Sequence, residues 1–271
     1  MVLPIHPWQT RYSRRGPDYR FNSNVTFGEI KRQFGFASIR LGRWVNAKEQ
    51  QLGANLIFDA LADLAFILNV PPQTIGLRNQ LHLAFGSDGA PDAKAHYQPS
   101  RKTLALAKNA GGGALAHEFW HAFDHYIRPH LYPNSSQTLA TQAWQESNEA
   151  PSHPLNQKLL ALLNDALLND SREGPSSLLA DAMQLDRQAG SFYFSQPTEV
   201  LARAFEAYIQ DSPIIYNNFL VSGSKRSQLA QAGAYPQGKL RALLNHRFTD
   251  YFSLLGTALI NQSHTSKGID L

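Results

Sequence analysis

A His-Glu-x-x-His pattern near the middle of the chain carries side chains that can hold and use a metal ion. It consists of His117, Glu118 and His121, inside the run AHEFWHAFDHY. On an α-helix, residues four apart lie about one turn apart on the same face, so both imidazoles can bind one ion. Glu118 can then act as general base toward a water molecule that the metal activates. The spacing therefore predicts a metal site on a helix.

The residues around this pattern favour a helix with one buried side. At about 100° per residue, the charged and histidine side chains share one face of the helix and the apolar side chains share the other. Asp124, about one turn after His121, is a candidate to orient an imidazole. The same five-residue pattern also occurs by chance in helices that bind nothing. A third ligand is therefore needed to distinguish a metal site from an ordinary amphipathic helix.

A second predicted helix, over QPTEVLARAFEAYIQ, supplies acidic candidates for the third ligand of a catalytic zinc site. Pro197 suits the first turn of a helix, and apolar residues recur at helical spacing along the run. Glu199 and Glu206 are the two candidates. Glu199 could instead offset the helix dipole, and Glu206 could pair with Arg203. Spacing alone leaves both glutamates open.

Six stretches of the sequence resemble one known domain and occur in its order. They are QFGFASIRLGRWVNAKEQQ, LADLAFILNVPP, LHLAFGS, AHYQPSRKTLALAKNAGGG, AHEFWHAFDHY and FYFSQPTEVLARAFEAYI, which lie in residues 33–130 and 192–209. They resemble the H-E-x-x-H domain associated with the large polyvalent proteins of phages and conjugative elements, and the stand-alone bacterial proteins of the CLCA-X family. This resemblance implies a zincin-like metallopeptidase fold, and it names no substrate.

A further resemblance selects between the two glutamates. The run from Glu199 is similar to the E-x-x-A-x-A-F segment that carries the third zinc ligand in anthrax lethal factor. The likeness implies that Glu199 joins His117 and His121 as a ligand of Zn²⁺, in the gluzincin manner. It also implies that Tyr193 corresponds to an upstream tyrosine that steadies the oxyanion. Glu118 and Tyr193 are therefore the expected catalytic residues.

The expected fold is α+β, with a small, mainly antiparallel sheet beside the H-E-x-x-H helix and the glutamate-bearing helix. Residues 81–85 and 103–107 alternate in polarity and predict strands. We expect the second strand to be the edge that pairs with an extended substrate peptide. A long helix is expected from Asn46, with Glu49 in a capping box. Pro129 is expected to end the H-E-x-x-H helix.

Three regions are predicted along the chain. A basic N-terminal arm occupies residues 1–32, and a zincin-like catalytic domain occupies residues 33–210. That domain carries a helical insertion at about residues 131–190. Residues 211–271 form a C-terminal helical extension.

The N-terminal arm is basic and aromatic. The first fifty residues hold nine Lys or Arg residues and three Asp or Glu residues, whereas the whole chain has a net charge of +4. Trp8, Tyr12, Tyr19 and Phe21 lie among the arginines. Such a mixture can follow a nucleic-acid backbone and stack on bases, which predicts a weak nucleic-acid contact. The alternative is an arm wrapped on the catalytic body, since no nucleic-acid motif accompanies the charge.

Composition limits the class of protein. The 271 residues include no cysteine, which excludes disulfides and thiolate ligands and fits a reducing compartment. The N-terminus lacks the apolar core of a signal peptide, and no apolar run is expected to reach the length that spans a bilayer. We therefore expect a cytoplasmic protein without a membrane partner. The oligomeric state is left open.

The pattern and the resemblance together predict a zinc-dependent hydrolase that cleaves peptide bonds, with a peptide or protein as substrate. One alternative is an inactive or metal-stabilised scaffold in mobile-element DNA transfer or maintenance, which would use the basic arm. The other is a zinc hydrolase that acts on a non-peptide amide, such as a cell-wall crosslink. The presence of Glu118, which binds no metal itself, favours an enzyme.

Overall fold

The computed structural model describes residues 11–43, 45–87, 95–107, 113–146 and 149–267. Residues 1–10 of the predicted arm, including Trp8, lie outside the described residues. The described chain is α+β, as predicted. It divides into a first unit (Met1–Ile67, Pro72–Ala122 and Ser212–Ser222) and a second unit (Leu68–Pro71, Phe123–Asp211 and Gly223–Leu271).

In the described residues most of the regular structure is helical, and the short strands all belong to the first unit. The strands are β1 (Arg14–Arg15), β2 (Ser38–Leu41), β3 (His82–Phe85), β4 (Ala95–Gln98), β5 (Thr103–Leu106) and β6 (Tyr216–Asn217). The helices are α1 (Phe27–Phe34), α2 (Ala47–Leu68), α3 (Leu115–Leu131), α4 (Ala140–Gln145), α5 (Pro154–Leu167), α6 (Ser177–Ala189), α7 (Pro197–Gln210), α8 (Gln228–Gln231) and α9 (Gly238–Lys267).

The four-stranded sheet of the first unit has the order β2–β3–β5–β4. Its β2–β3 and β3–β5 pairings are parallel, and its β4–β5 pairing is antiparallel. The predicted mainly antiparallel sheet is therefore wrong. The physical reason is the long crossover through α2, which returns the chain to pair with β2 in the same direction. Only the short connection from β4 to β5 makes an antiparallel neighbour.

The edge strand also differs from the prediction. Residues 103–107 were expected at the edge, but β5 lies inside the sheet, between β3 and β4. The edge strands are β2 and β4, and the edge next to β5 is formed by β4, Ala95–Gln98, which carries no strong strand pattern of its own. β5 is buried along its whole length, and this explains its apolar sequence.

α2 begins where the sequence predicts. The Glu49 N–H donates to Asn46 Oδ1 over 3.0 Å, and the Asn46 N–H donates to Glu49 Oε2 over 2.9 Å, so the capping box is formed. The helix has 22 residues, and its most apolar 18-residue window has a mean hydropathy of 1.5. By length and composition alone, this is enough to cross a membrane. The expectation that no run reaches this length is wrong. Half of that window (50%) is buried inside the structure, and a core helix meets the same criterion.

The described part of the basic arm is fastened to α2. Arg14 donates from Nε and Nη2 to the two oxygens of Asp63, each over 2.7 Å. Asp63 is fully buried and also accepts a 2.8 Å hydrogen bond from Asn217 Nδ2. Arg20 donates to Asp59 over 2.8 Å. Two arginines of the arm thus neutralise carboxylates of α2, as the wrapped-arm alternative requires.

The second unit is built around aromatic contacts between helices. Phe205 of α7 lies 5.5 Å from Phe248 and 6.0 Å from Phe252 of α9, measured between ring centroids. Phe123, in the second half of α3, lies 5.5 Å from Phe252. Each of these rings is at most 3% exposed. This apolar core holds α7, which carries Glu199.

Candidate metal centre

α3 carries the H-E-x-x-H pattern, and its start is fixed by main-chain contacts within the first unit. The N–H groups of Gly113 and Ala116 donate to the carbonyls of Phe219 and Leu220 over 2.7 and 3.0 Å. These bonds use N–H groups that have no partner inside a helix. Gly113 has φ +89°, and a Cβ there would lie 2.3 Å from the hydroxyl oxygen of Ser222. The entry to α3 therefore requires glycine at this position.

The faces of α3 follow the predicted division. The apolar side is buried, with Leu115, Phe119, Ala122 and Phe123 at most 3% exposed. His117, Glu118 and His121 are only partly buried. Pro129 lies inside the last turn, and the helix continues to Leu131, beyond its predicted end. Because proline has no N–H to donate to the preceding turn, it weakens the helix there, and the helix ends two residues later.

The side chains of His117, His121 and Glu199 come together. Their candidate ligand atoms all lie within 4.8 Å of one another. The two imidazole rings are 4.8 Å apart between centroids and nearly perpendicular, at 77°. Glu199 is buried, with 8% of its surface exposed. This cluster could bind a metal ion.

The chemistry of the cluster fits zinc. Two imidazole nitrogens and one carboxylate form the three-ligand set of many catalytic zinc sites, which keep a fourth position open. The three candidate ligand atoms belong to residues of the types that hold such an ion. The same donors also suit other divalent first-row metals. The geometry therefore supports a metal centre and leaves the choice of metal to experiment.

Glu199 lies against a buried arginine of its own helix. Arg203 Nη1 is 3.6 Å from Glu199 Oε2, and Arg203 is 3% exposed. Arg203 Nε donates to the carbonyl of Ala234 over 2.9 Å, and its Nη2 donates to the carbonyl of Phe194. Burial lowers the pKa of Arg203, and the nearby Glu199 and Tyr193 oppose this effect. Because a guanidinium stays charged at neutral pH, Arg203 places a positive charge beside the candidate ligand Glu199.

Glu206, the other candidate ligand, has a different environment. It is 5% exposed and is not a member of the His117–His121–Glu199 group found among the described residues. Burial raises the pKa of Tyr235, and the charge of Glu206 and its hydrogen bond with Tyr235 raise it further. The structure therefore brings Glu199 to the histidines and gives Glu206 a tyrosine partner.

Glu118 contacts the edge strand of the sheet. Its Oε2 accepts a 2.6 Å hydrogen bond from the backbone N–H of Tyr97 in β4. Since that N–H donates to Glu118, it is not used in the ladder that joins β4 to β5. Nothing in the sequence pattern indicated a contact between these residues, because β4 itself was not predicted.

Tyr193 lies in the loop before α7 and is 47% exposed. Its N–H donates to Asp186 Oδ1 over 2.9 Å, and its ring meets the ring of Phe194 at 5.3 Å. The Phe194 ring in turn lies 5.4 Å from the guanidinium of Arg203. The predicted oxyanion tyrosine is thus connected to Glu199 through Phe194 and Arg203.

Asp124 fixes another part of the second unit. It is 2% exposed and accepts hydrogen bonds from Thr141 N–H over 3.0 Å and from Thr141 Oγ1 over 2.5 Å. These bonds hold the first turn of α4. The predicted contact of Asp124 with an imidazole stays a prediction.

Sequence reasoning also missed two supporting residues. Arg203 was considered only as a partner of Glu206, although its position four residues after Glu199 places it on the same helix face. Asp186 had no signal, because its partners are main-chain groups of the loop before α7.

A cavity of about 500 Å³ lies elsewhere in the second unit. It is lined by Asp165, Leu168, Asn169, Asp170, Ser176, Ser177, Lys239, Leu240 and Leu243. None of the predicted site residues lines it. Its lining contains two carboxylates and no histidine, and one of the carboxylates, Asp165, is already bound by Arg172 and Arg247.

Comparison with protein families supports the association predicted from the sequence. The model of the large polyvalent protein-associated domain 1 matches residues 185–259, and this match agrees with the association with large polyvalent proteins that the sequence predicted. The match contains Glu199, Arg203 and Asp186 but not the H-E-x-x-H pattern. It overlaps the predicted resemblance at residues 192–209 and does not reach residues 33–130. Comparisons with curated proteins and with solved structures gave no match.

Proposed function

We propose that this protein is a zinc-dependent hydrolase of the gluzincin kind, and that it cleaves peptide bonds. The observation that carries the proposal is the meeting of His117, His121 and Glu199 within 4.8 Å. A structural zinc site normally uses four protein ligands, whereas three ligands leave a position for chemistry. Glu118, which follows one of these ligands directly in sequence, gives the site a base.

Zinc, when bound by these residues, would act as a Lewis acid that polarises water and the substrate carbonyl. Glu118 would take a proton from the attacking water and pass it to the leaving amine, as a general base and then a general acid. The Tyr97 N–H holds one oxygen of Glu118 and leaves the other for the proton. Glu118 is thereby oriented before the substrate arrives.

Tyr193 would donate a hydrogen bond from its hydroxyl to the oxyanion that develops on the substrate carbonyl. It lies on the loop directly before the helix that carries Glu199, and about half of its surface (47%) is open to solvent. The contact with the Phe194 ring restricts the positions that the Tyr193 side chain can adopt. This arrangement supports a role for Tyr193 in stabilising the transition state.

β4 would serve as the strand that binds an extended peptide. It is one of the two edge strands of the four-stranded sheet, and its Tyr97 N–H donates to the proposed base. Edge strands recognise peptides by main-chain hydrogen bonding. An edge strand that runs antiparallel to its neighbour, beside a helix with the H-E-x-x-H pattern, supports the zincin-like fold that the resemblance implies.

The scaffold alternative receives less support. Two of the nine basic residues on which the nucleic-acid hypothesis rests, Arg14 and Arg20, are paired with Asp63 and Asp59. Breaking such pairs to bind phosphate would leave carboxylates of α2 uncompensated. The family match at residues 185–259 fits a protein of phages or mobile elements under either proposal. We propose that the hydrolase acts in the cytoplasm on a peptide or protein.

A peptide-library digest tests the proposal. Purified protein should carry close to one zinc per chain and should cleave members of the library. A chelator should abolish cleavage, and added zinc should restore it. Zinc-loaded protein that leaves every peptide intact would refute the peptidase, and parallel incubation with crosslinked cell-wall fragments would then identify hydrolysis of a non-peptide amide.

A further inference from the structure

The loop at residues 191–195 is held by one buried carboxylate. Asp186 Oδ1 accepts hydrogen bonds from Ser191 Oγ over 2.9 Å, Tyr193 N–H over 2.9 Å and Phe194 N–H over 2.8 Å. Its Oδ2 accepts from Ser195 N–H over 2.7 Å. Asp186 is 5% exposed. A single side chain therefore satisfies three consecutive main-chain donors.

The hydrogen bonds to Asp186 lower the pKa of its carboxyl group. Burial alone would raise its pKa, but the hydrogen bonds from Ser195, Tyr193 and Phe194 outweigh burial and hold it far below the usual value. Hydrogen bonds to a charged acceptor are stronger than those to a neutral one. The loop is thus fixed by an interaction that does not titrate near neutral pH.

Other contacts fasten the same loop from its opposite end. Gln196 Nε2 donates to the carbonyl of Phe192 over 2.6 Å. Arg203 donates to the carbonyl of Phe194 and places its guanidinium 5.4 Å from that ring. Arg203 also faces the candidate ligand Glu199 at 3.6 Å. The loop and the third metal ligand therefore share a support.

Two aromatic side chains remain exposed on this fixed backbone. Phe192 is 78% exposed and Tyr193 is 47% exposed. Single exposed apolar side chains are common on protein surfaces and do not by themselves indicate a function. Phe192 differs because many hydrogen bonds hold its loop. A loop that is already ordered loses less conformational entropy when a partner binds. Aromatic side chains presented in this way are typical anchors of recognition surfaces.

We infer that Asp186 is a positioning residue, which holds the loop at residues 191–195 as a rigid platform that presents Phe192 and Tyr193 to the substrate. Phe192 contacts an apolar side chain of the bound peptide, and Tyr193 directs its hydroxyl to the reacting carbonyl. The role of Asp186 in ordering the loop stands on the hydrogen bonds alone. The substrate contacts rest on the proposed function.

Hydrogen exchange tests the positioning role without any substrate. In the full-length wild type, the amides of Tyr193, Phe194 and Ser195 should be protected although their loop is on the surface. Asp186→Asn removes the charge and should speed their exchange by at least about tenfold, since hydrogen bonds to a charged acceptor are stronger than those to a neutral one. Asp181→Asn, an exposed aspartate of the same helix, should leave their exchange unchanged.

Some results of the exchange experiment would contradict the positioning role of Asp186. Unprotected amides in the wild type, or equal exchange in Asp186→Asn and wild type, would overturn the positioning role. If Asp186→Asn does not fold, Ser191→Ala is the milder variant, because it removes one of the four bonds to Asp186 and should speed exchange at Tyr193. Unchanged exchange in Ser191→Ala would then overturn the proposal.

Cleavage kinetics test the substrate contacts. On a matched pair of library peptides that differ by one leucine or serine, Phe192→Ser should lower kcat/KM for the leucine peptide at least about tenfold, mainly through KM. It should leave the serine peptide and the zinc content unchanged. Phe21→Ser, which alters another exposed phenylalanine, is the control and should change neither peptide.

Tyr193 and Asp186 complete the kinetic test. Tyr193→Phe should lower kcat, and Asp186→Asn should lower it little further in the Tyr193→Phe background, because it acts through Tyr193. Additive losses, or unchanged selectivity in Phe192→Ser, would overturn the substrate role. A wild type that cleaves no peptide would refute the proposed function together with the substrate role, while exchange still decides the role of Asp186.

Discussion

The carboxylate of Glu118 accepts a 2.6 Å hydrogen bond from the backbone N–H of Tyr97. This bond joins the helix with the H-E-x-x-H pattern to the edge strand of the sheet. Because the donor is a main-chain group, the contact does not depend on the side chain at position 97. It fixes the direction of the residue that we propose as the general base.

Glu118→Gln should therefore separate catalysis from structure. The amide oxygen of glutamine can still accept from the Tyr97 N–H, so the fold and the zinc content should be retained. The variant cannot take a proton from water, and turnover should fall by roughly 10²–10⁴-fold. Metal analysis measures the zinc content, thermal unfolding measures the stability of the fold, and peptide cleavage measures turnover. Wild-type turnover in Glu118→Gln would mean that the metal is structural.

The third ligand can be tested with a matched pair of variants. Glu199→Gln should lose most of the bound zinc, because a neutral amide is a poor ligand beside two imidazoles. Glu206→Gln changes a buried glutamate of the same helix and should retain the zinc, since Glu206 pairs with Tyr235. The zinc content of each variant is measured after dialysis against a weak chelator. Equal zinc content in the two variants would exclude Glu199 as a ligand.

The N-terminal arm should contribute to stability through Arg14. Arg14→Ala leaves Asp63 buried without its ion-pair partner, and the free energy of unfolding should fall by roughly 3 kcal/mol. Arg15→Ala, at the exposed neighbouring position, should change it by less than about 0.5 kcal/mol. Urea unfolding of both variants makes the comparison. Similar stabilities would show that the Arg14–Asp63 bonds are not important in solution.

Asp211 should make stability depend on acid pH. Burial raises its pKa, but hydrogen bonds from Arg241, Asn245 and Lys225 outweigh this and lower it to about 2. A lowered pKa stabilises the folded state above the unfolded-state value near 4, and this contribution is lost as pH falls toward about 2. Asp211→Asn should therefore cost about 2 kcal/mol at pH 7. Urea unfolding should show wild type and variant converging near pH 2, and a constant difference would contradict the assignment.

The sequence alone was sufficient for the local parts of the site. The helix over the H-E-x-x-H pattern, the capping box at Asn46 and the start of α7 at Pro197 depend on neighbours within a turn or two. Helical spacing also places His117 and His121 on one face before any tertiary structure is known. Such features can be predicted because the interactions that form them connect residues close in sequence.

Only the tertiary structure decided the contacts between distant segments. It brought Glu199 to the histidines, gave Glu206 another partner, and placed Ala95–Gln98 at the sheet edge instead of residues 103–107. It also paired Arg14 with Asp63 in place of solvent. Glu199 and Glu206 lie in similar local sequence patterns, so the pattern does not distinguish them. The sequence around Arg14 likewise does not indicate which residue it pairs with. Burial, and the need to neutralise buried charge, select among these alternatives only when the whole chain has folded.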